Sequence, residues 1–250
     1  MPYHPRLLAF DLDGTLAESK QRVSFDMGEA ITKLLARMPV AIMSGAGWPQ
    51  FEKQFFPALP LDANFANLYI FPDNAAQCFV YRNGAWKPQY DNAFTETERA
   101  RILKELDEAL KETGLSDAPV RIWGERIEDR GAEIVFSGLG QGAPIDAKIA
   151  WDPTGNKRES LRKALAARLP EFSEATGGST SVDITRKGIT KAYGIKRLSE
   201  LTGISVSEML YVGDALDEGG NDAVVKETGV QTHQVFGPEE TEGLIGALLK

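Results

Sequence analysis

Short apolar runs recur near the two ends of the chain, and polar or glycine-rich residues follow each of them. The clearest runs cover residues 7–10, 40–43, 68–71 and 209–212, and a last strand is expected over 230–235. Runs of this length without helical periodicity are typical of strands buried on both faces. Between the first two runs, apolar residues recur at helical spacing after Ser24, a residue type that caps helices. A strand, a helix and a strand in succession predict a Rossmann-like parallel sheet of the α/β class.

The pattern changes in the middle of the chain. The pair Asn83-Gly84 joins two strand-like segments, which predicts a β-hairpin. A long amphipathic helix is expected over residues 95–113, and a second helix over residues 157–169. Both helices fall among short segments with period-two alternation, over residues 120–123, 132–136, 148–151 and 180–184.

Alternating segments of this kind indicate an antiparallel sheet. We therefore predict an inserted α+β domain over residues 85–185. Residues 1–84 and 186–250 then form the two parts of the parallel core.

Composition narrows the possible partners. The chain has 250 residues and a formal net charge of -8, which argues against nucleic-acid binding because that function needs concentrated Lys and Arg. The single cysteine, Cys78, excludes an internal disulfide and fits a reducing compartment. Two histidines and one cysteine do not suffice for a zinc site. The sequence has no apolar run of about eighteen residues and no signal-like start, so we expect a cytoplasmic protein without a membrane partner.

Two carboxylates follow the first apolar run. Asp11 and Asp13 are spaced two apart, so in an extended strand their side chains point the same way. Gly14 then allows a sharp turn. Acids at the carboxyl end of a buried strand can bind a hard divalent cation such as Mg²⁺, although an ordinary turn with solvated acids has the same composition.

The second run ends in Ser44-Gly45. The hydroxyl of Ser44 and the backbone N–H of Gly45 can bind a phosphate oxygen at the same sheet edge as Asp11. The alternative is that Ser44 caps the helix expected over residues 48–56.

An acidic, glycine-rich loop, residues 213–222, follows the run 209–212. It does not fit an EF-hand, because Leu216, Glu218 and Val225 stand where oxygen ligands are required. A solvated turn is the simple alternative. Because the loop follows a buried strand, Asp214 can share a cation with Asp11 and the backbone carbonyl of Asp13.

Lys191 opens an amphipathic helix where the chain returns to the parallel core. A lysine there is usually solvated, but a fixed ammonium can neutralise a nucleophile and phosphoryl oxygens. Lys187 is the rival for this role.

These four elements together resemble the four motifs of the haloacid-dehalogenase superfamily of phosphotransferases. The resemblance implies Asp11 as nucleophile, Asp13 as general acid/base, and Mg²⁺ bound by Asp11, Asp13, Asp214 and Asp222. The insertion resembles the type IIB cap domain of that superfamily. Four short pieces further resemble the eukaryotic-type phosphomannomutases, namely residues 71–74, 125–128, 181–183 and 219–222.

That family grips its substrate with basic residues, and the corresponding positions here are only partly basic. Lys20 stands at the position after motif one, and Ser181 and Asp183 at the pair that contacts the sugar. The three arginine positions of the cap domain are occupied by Arg130, Gln141 and Lys148.

A charge-assisted hydrogen bond contributes about 1.5–3 kcal/mol against about 1 kcal/mol for a neutral one, so Gln141 weakens the hold on a second phosphate. We therefore expect a sugar-phosphate phosphohydrolase first, a phosphomannomutase-type mutase second, and a non-catalytic sugar-phosphate-binding module as a remote third. The resemblance also implies a homodimer formed through the cap domain.

Overall fold

The computed structural model describes residues 4–117 and 121–250 and divides the chain into two compact units. The core unit comprises Met1–Asp91 with Ile189–Lys250, and the inserted unit comprises Asn92–Gly188. The insertion predicted from the sequence begins at residue 85. The segment Ala85–Asp91 instead pairs with Gln77–Arg82 as the last strand of the core sheet, so the boundary follows it.

The described part of the core unit forms one seven-stranded sheet. Its strands are β1 (Leu7–Phe10), β2 (Val40–Met43), β3 (Leu68–Phe71), β4 (Gln77–Arg82), β5 (Ala85–Asp91), β10 (Met209–Gly213) and β11 (Gln231–Gln234). The strand order is β11-β10-β1-β2-β3-β4-β5. The first five strands in this order are parallel to one another, and β4 pairs antiparallel with both β3 and β5.

Helices cover both faces of this sheet. They are α1 (Phe25–Leu35), α2 (Trp48–Gln54), α6 (Lys191–Thr202) and α7 (Pro238–Leu248). Leu8 and Phe10 of β1 pack in the core that α1, α2 and α7 share, whereas Leu7 and Ala9 pack in the core that includes α6. Both faces of β1 are therefore buried, which explains its uninterrupted apolar sequence.

Two local predictions in the core unit are confirmed. The Ser24 side chain accepts a hydrogen bond from Met27 N and caps α1. Asn83 and Gly84 both have positive φ, +54° and +77°, as a two-residue turn between twisted strands requires.

The inserted unit has a four-stranded antiparallel sheet of order β6-β7-β9-β8 in its described part. Its strands are β6 (Ile127–Asp129), β7 (Glu133–Ser137), β8 (Phe172–Gly177) and β9 (Ser181–Arg186), and its helices are α3 (Glu96–Glu112), α4 (Ile145–Trp151) and α5 (Asn156–Arg168). Apolar residues of α3 and α5 pack on one face of the sheet, including Ile102, Leu106 and Leu161.

Three expectations for this unit differ from the structure. Residues 148–151 are helical rather than extended, because Lys148 N bonds to Pro144 O in the helical pattern. Of the segment 120–123, Val120 lies outside the described residues and the rest is not a strand. Strand β8 was not predicted, since Phe172 is its only large apolar residue.

Within the described residues, we find no helix with the length and apolar character needed to span a bilayer.

Candidate active site

The acidic residues that follow β1 and β10 lie at the same edge of the core sheet, because these two strands are neighbours. Phe10 of β1 pairs with Val212 of β10 in parallel register, and Asp11 N donates to Val212 O at 2.9 Å. Asp11 is buried at 3% exposure. Gly14, with φ +83°, lies so close to the Asp214 carboxylate that a Cβ at this position would collide with it. The turn after β1 thus requires glycine both for its backbone conformation and for the approach of Asp214.

Lys191 is the first residue of α6, and its side chain is fully buried among acids. Its Nζ donates to an oxygen of Asp11 and, at 2.6 Å, to Asp222. The rival, Lys187, is exposed, and its Nζ donates to Pro170 O at 3.4 Å. The structure therefore brings Lys191, and not Lys187, to the candidate nucleophile.

Asp222 is also fully buried, and its carboxylate accepts hydrogen bonds from three donors, of which Lys191 is the charged one. Tyr211 Oη donates at 2.5 Å and Ala215 N at 3.2 Å, in addition to Lys191 Nζ. Tyr211 is not predicted from the sequence, because a tyrosine in an apolar strand gives no sign of where its hydroxyl points. Its position two residues before Gly213 was the available signal.

Burial and neighbouring charge shift the pKa values of this cluster. Burial, with help from Asp222 and Asp214, raises the pKa of Asp11 to about 7, although Lys191 opposes the shift. Burial lowers the pKa of Lys191, but the carboxylates of Asp11 and Asp222 outweigh it and hold the pKa above its ordinary value. The pKa of Asp214 is raised by burial and by Asp222. Such clustering of perturbed groups is characteristic of functional sites.

The acids of this cluster suit a magnesium ion. Ligand oxygens of Asp11, Asp214 and Asp222 all lie within 4.8 Å of one another. Three carboxylates face one ammonium, so the cluster carries excess negative charge, and hard oxygen ligands are those that Mg²⁺ prefers. Asp11, Asp214 and Asp222 are the residues that would hold the ion, and their fit follows from this donor set.

Asp13 makes different contacts from Asp11. The strand ends at Phe10, so strand alternation does not extend to Asp13. Its carboxylate accepts hydrogen bonds from Gln50, Gln54 and the backbone N of Lys20, and it does not belong to the carboxylate cluster found among the described residues.

Ser44 follows β2 and is buried at 2% exposure. Its Oγ accepts from Ala46 N at 3.0 Å, whereas the N-cap of α2 is Gly47. The alternative that Ser44 caps this helix is therefore wrong. Gly45 lies beside the side chain of Asn74. The side chain of Lys20 is exposed in the loop after β1.

The candidate residues of the inserted unit lie on or near its sheet. Asp183 pairs with Val135 across β9 and β7, and burial raises its pKa to about 6 although Arg130 opposes the shift. The guanidinium of Arg130 donates to Glu128 and Glu133, each at 2.8 Å. Arg130 is thus engaged by two carboxylates of its own unit.

The remaining candidates of this unit are polar and partly buried. Lys148 Nζ donates to the backbone oxygen of Gln141 at 3.1 Å. Ser181 begins β9 and pairs with Ser137 and Gly177.

Comparisons with known proteins identify the family and the fold. A family model described as eukaryotic phosphomannomutase matches residues 27–250. The phosphomannomutase of Encephalitozoon cuniculi is 24% identical over 98% of this chain and 93% of its own length.

Two solved structures establish the fold. A haloacid dehalogenase-like hydrolase from Bacteroides thetaiotaomicron covers 98% of both chains with a TM-score of 0.65 and 17% identity. A C-terminally truncated IMP-nucleotidase of Plasmodium falciparum matches 99% of this chain and 72% of its own, with a TM-score of 0.72 and 16% identity. The chain therefore belongs to the eukaryotic phosphomannomutase family and has the fold of the haloacid-dehalogenase superfamily.

Proposed function

We propose that this chain transfers a phosphoryl group from a hexose phosphate to Asp11 and then to a second hydroxyl of a hexose phosphate, the reaction of a phosphomannomutase. The observation that carries the proposal is the buried ammonium of Lys191 between the carboxylates of Asp11 and Asp222. A buried cation so placed keeps an anionic nucleophile compatible with an incoming phosphate.

The chain's own residues then divide the chemistry. An oxygen of Asp11 bonds to phosphorus while the bond from phosphorus to the sugar oxygen breaks, and Asp13 donates a proton to that oxygen. Asp13 next takes a proton from the acceptor hydroxyl, which bonds to phosphorus as Asp11 is released. Ser44 and Gly45 bind phosphoryl oxygens, and Lys191 balances their charge. Bound Mg²⁺ would supply further positive charge against the repulsion between the two anions.

Family membership supports the mutase reaction over hydrolysis. The sequence alone favours hydrolysis, because Gln141 stands at an arginine position. The matching family model and the named relative are both phosphomannomutases, so the mutase reaction becomes the first candidate.

Hydrolysis remains the second candidate reaction, because of the side chains that the inserted unit offers to a second phosphate. Arg130 is paired with Glu128 and Glu133, and Gln141 carries no charge. A second phosphate therefore meets less positive charge than three free arginines would offer. A hydrolase holds only one phosphate, since water is its acceptor.

One assay separates these reactions. The chain is incubated with Mg²⁺, mannose 1-phosphate and a trace of a hexose bisphosphate, with Asp11→Asn as the control. Accumulation of mannose 6-phosphate supports the mutase, and release of free phosphate without it supports the hydrolase. If the parent acts on no member of a sugar-phosphate panel, both reactions fail and a binding module is favoured.

A further inference from the structure

Asp13 lies in a cradle of neutral hydrogen-bond donors that none of the four motifs includes. Gln54 Nε2 donates to Asp13 Oδ1 at 2.9 Å, and Gln50 Nε2 donates to Oδ2 at 3.3 Å. The backbone N of Lys20 donates to Oδ1 at 2.6 Å. Both carboxylate oxygens are therefore engaged, which fixes the rotation of the group as well as its position.

The two glutamines are themselves held in place. They are four residues apart, so their side chains lie on the same face of α2. Gln50 Nε2 also donates to Gln54 Oε1 at 2.7 Å, and Gln54 is only 4% exposed. The backbone oxygen of Gln54 accepts from Val23 N at 2.9 Å, which ties the end of α2 to the loop after β1.

The third donor depends on an unusual backbone. Lys20 has φ +59°, in the left-handed region that non-glycine residues seldom adopt. Its N–H bonds to Asp13 in this conformation. The loop after β1 and helix α2 thus both donate hydrogen bonds to the Asp13 carboxylate. A surface turn with solvated acids would need neither of these contacts.

We propose that Gln50 and Gln54 are positioning residues that hold the Asp13 carboxylate in the orientation needed for proton transfer. The role rests on the proposed function, in which Asp13 gives a proton to the departing sugar oxygen and later takes one from the acceptor. The glutamines exchange no proton. They limit the rotation of a group whose misplacement by about 1 Å can cost about a hundredfold in rate.

The leaving group of the substrate provides the test. A sugar oxygen needs a proton as its bond to phosphorus breaks, whereas 2,4-dinitrophenolate departs without one. In Gln54→Leu and Gln50→Leu, kcat/KM for a hexose phosphate should fall about tenfold or more, and kcat/KM for 2,4-dinitrophenyl phosphate should change little. The matched control is Lys53→Gln, an exposed change on the same helix, which should leave both values unchanged. Equal losses with both substrates would mean general disruption of the site and would overturn the positioning role.

A second measurement does not depend on activity. Thermal unfolding is compared for the parent, Gln54→Leu, Asp13→Ala and the double variant. We expect Gln54→Leu to lower the Tm less in the Asp13→Ala background, because its partner is then absent. The same Tm loss in both backgrounds overturns the cradle, whether or not the chain acts on any phosphate. If the coupling is present but the parent acts on no phosphate ester, the cradle stands as a contact and the proposed function fails.

Discussion

At the scale of single residues, the candidate site is a set of buried polar groups that depend on one another. Lys191 and Asp222 are almost wholly inaccessible to solvent. The carboxylates of Asp11 and Asp222 compensate the charge of Lys191, and Lys191 compensates theirs. Removing Lys191 would leave two buried carboxylates without this counter-charge. The positions of these side chains are therefore determined jointly rather than one at a time.

The buried carboxylate of Asp222 depends in part on the hydroxyl of Tyr211. Tyr211→Phe keeps the buried ring but removes a donor to the Asp222 carboxylate. Since hydrogen bonds to charged groups contribute about 1.5–3 kcal/mol, we expect the free energy of unfolding to fall by that amount. Urea unfolding without added metal measures it. Tyr69→Phe is the control, because its hydroxyl donates to no carboxylate found in the described residues. Equal effects of the two changes would contradict the role of the Tyr211 hydrogen bond.

Asp183 should make stability depend on pH. Burial raises its pKa from 3.8 to about 6, so the folded chain binds this proton more tightly than the unfolded chain. Its contribution to stability is thus present below pH 4 and is lost as pH rises to 6.

Asp183→Asn should remove that loss. The stability of the variant relative to the parent should rise between about pH 4 and pH 6, by the order of 2 kcal/mol, and then level off. Chemical unfolding across this range measures the difference. Asp146→Asn, at an exposed position in α4, should show no such rise. If the difference in stability between Asp183→Asn and the parent does not change with pH, the pKa of the Asp183 carboxyl is not raised.

At the scale of elements, close packing decides which helix positions tolerate a side chain. Gly28 lies in α1, and a Cβ there would stand 2.0 Å from the backbone oxygen of Ala58. Gly28→Ala should therefore destabilise the chain by about 1–3 kcal/mol, although alanine alone favours a helix by about 1 kcal/mol. Gly243→Ala in α7, where a Cβ meets nothing within 4 Å, should stabilise it. Thermal unfolding of both variants tests the opposite signs, and the same sign for both would contradict the packing of α1.

The elements predicted best from the sequence are those whose pattern has one interpretation. Strands β1, β2, β3 and β10 are buried on both faces, so their apolar runs were sufficient. The prediction of a strand around Lys148 was wrong, because a pattern of four alternating residues fits a strand and a helix equally well. Strand β8 has little pattern of its own, and its pairing with β9 is what makes it extended.

Part of the candidate site could also be predicted from the sequence. Acids that follow buried parallel strands meet at one sheet edge, which is why Asp11 and Asp214 could be paired from the sequence. The cradle around Asp13 could not, since the direction of Gln50 and Gln54 depends on how α2 packs. Their spacing of four residues was the only local signal.

At the scale of the whole molecule, the two units have separate apolar cores. Among the described residues, the core of the inserted unit is formed by residues of that unit alone, from Phe94 to Ile184. Its two ends are also joined, because the guanidinium of Arg186 donates to the backbone oxygens of Asn92 and Ala93. The unit thus has what an independently folding domain needs.

A fragment of residues 92–188 should therefore fold alone. We expect a cooperative thermal transition and a near-ultraviolet circular dichroism spectrum with fixed aromatic signals. The variant Ile184→Asp, which puts a charge into the fragment's core, is the control and should abolish both. A non-cooperative transition in the unmodified fragment would show that the unit depends on the rest of the chain.

The proposed reaction requires that Asp11 carries the phosphoryl group during turnover. The most direct measurement is to mix the chain with Mg²⁺ and a hexose phosphate radiolabelled in its phosphate, quench in acid within one turnover, and map the labelled peptide. We expect an acyl-phosphate label on the peptide that contains Asp11, and none in Asp11→Asn. Turnover of the substrate with the label on another residue, or with no label on the protein, would contradict it.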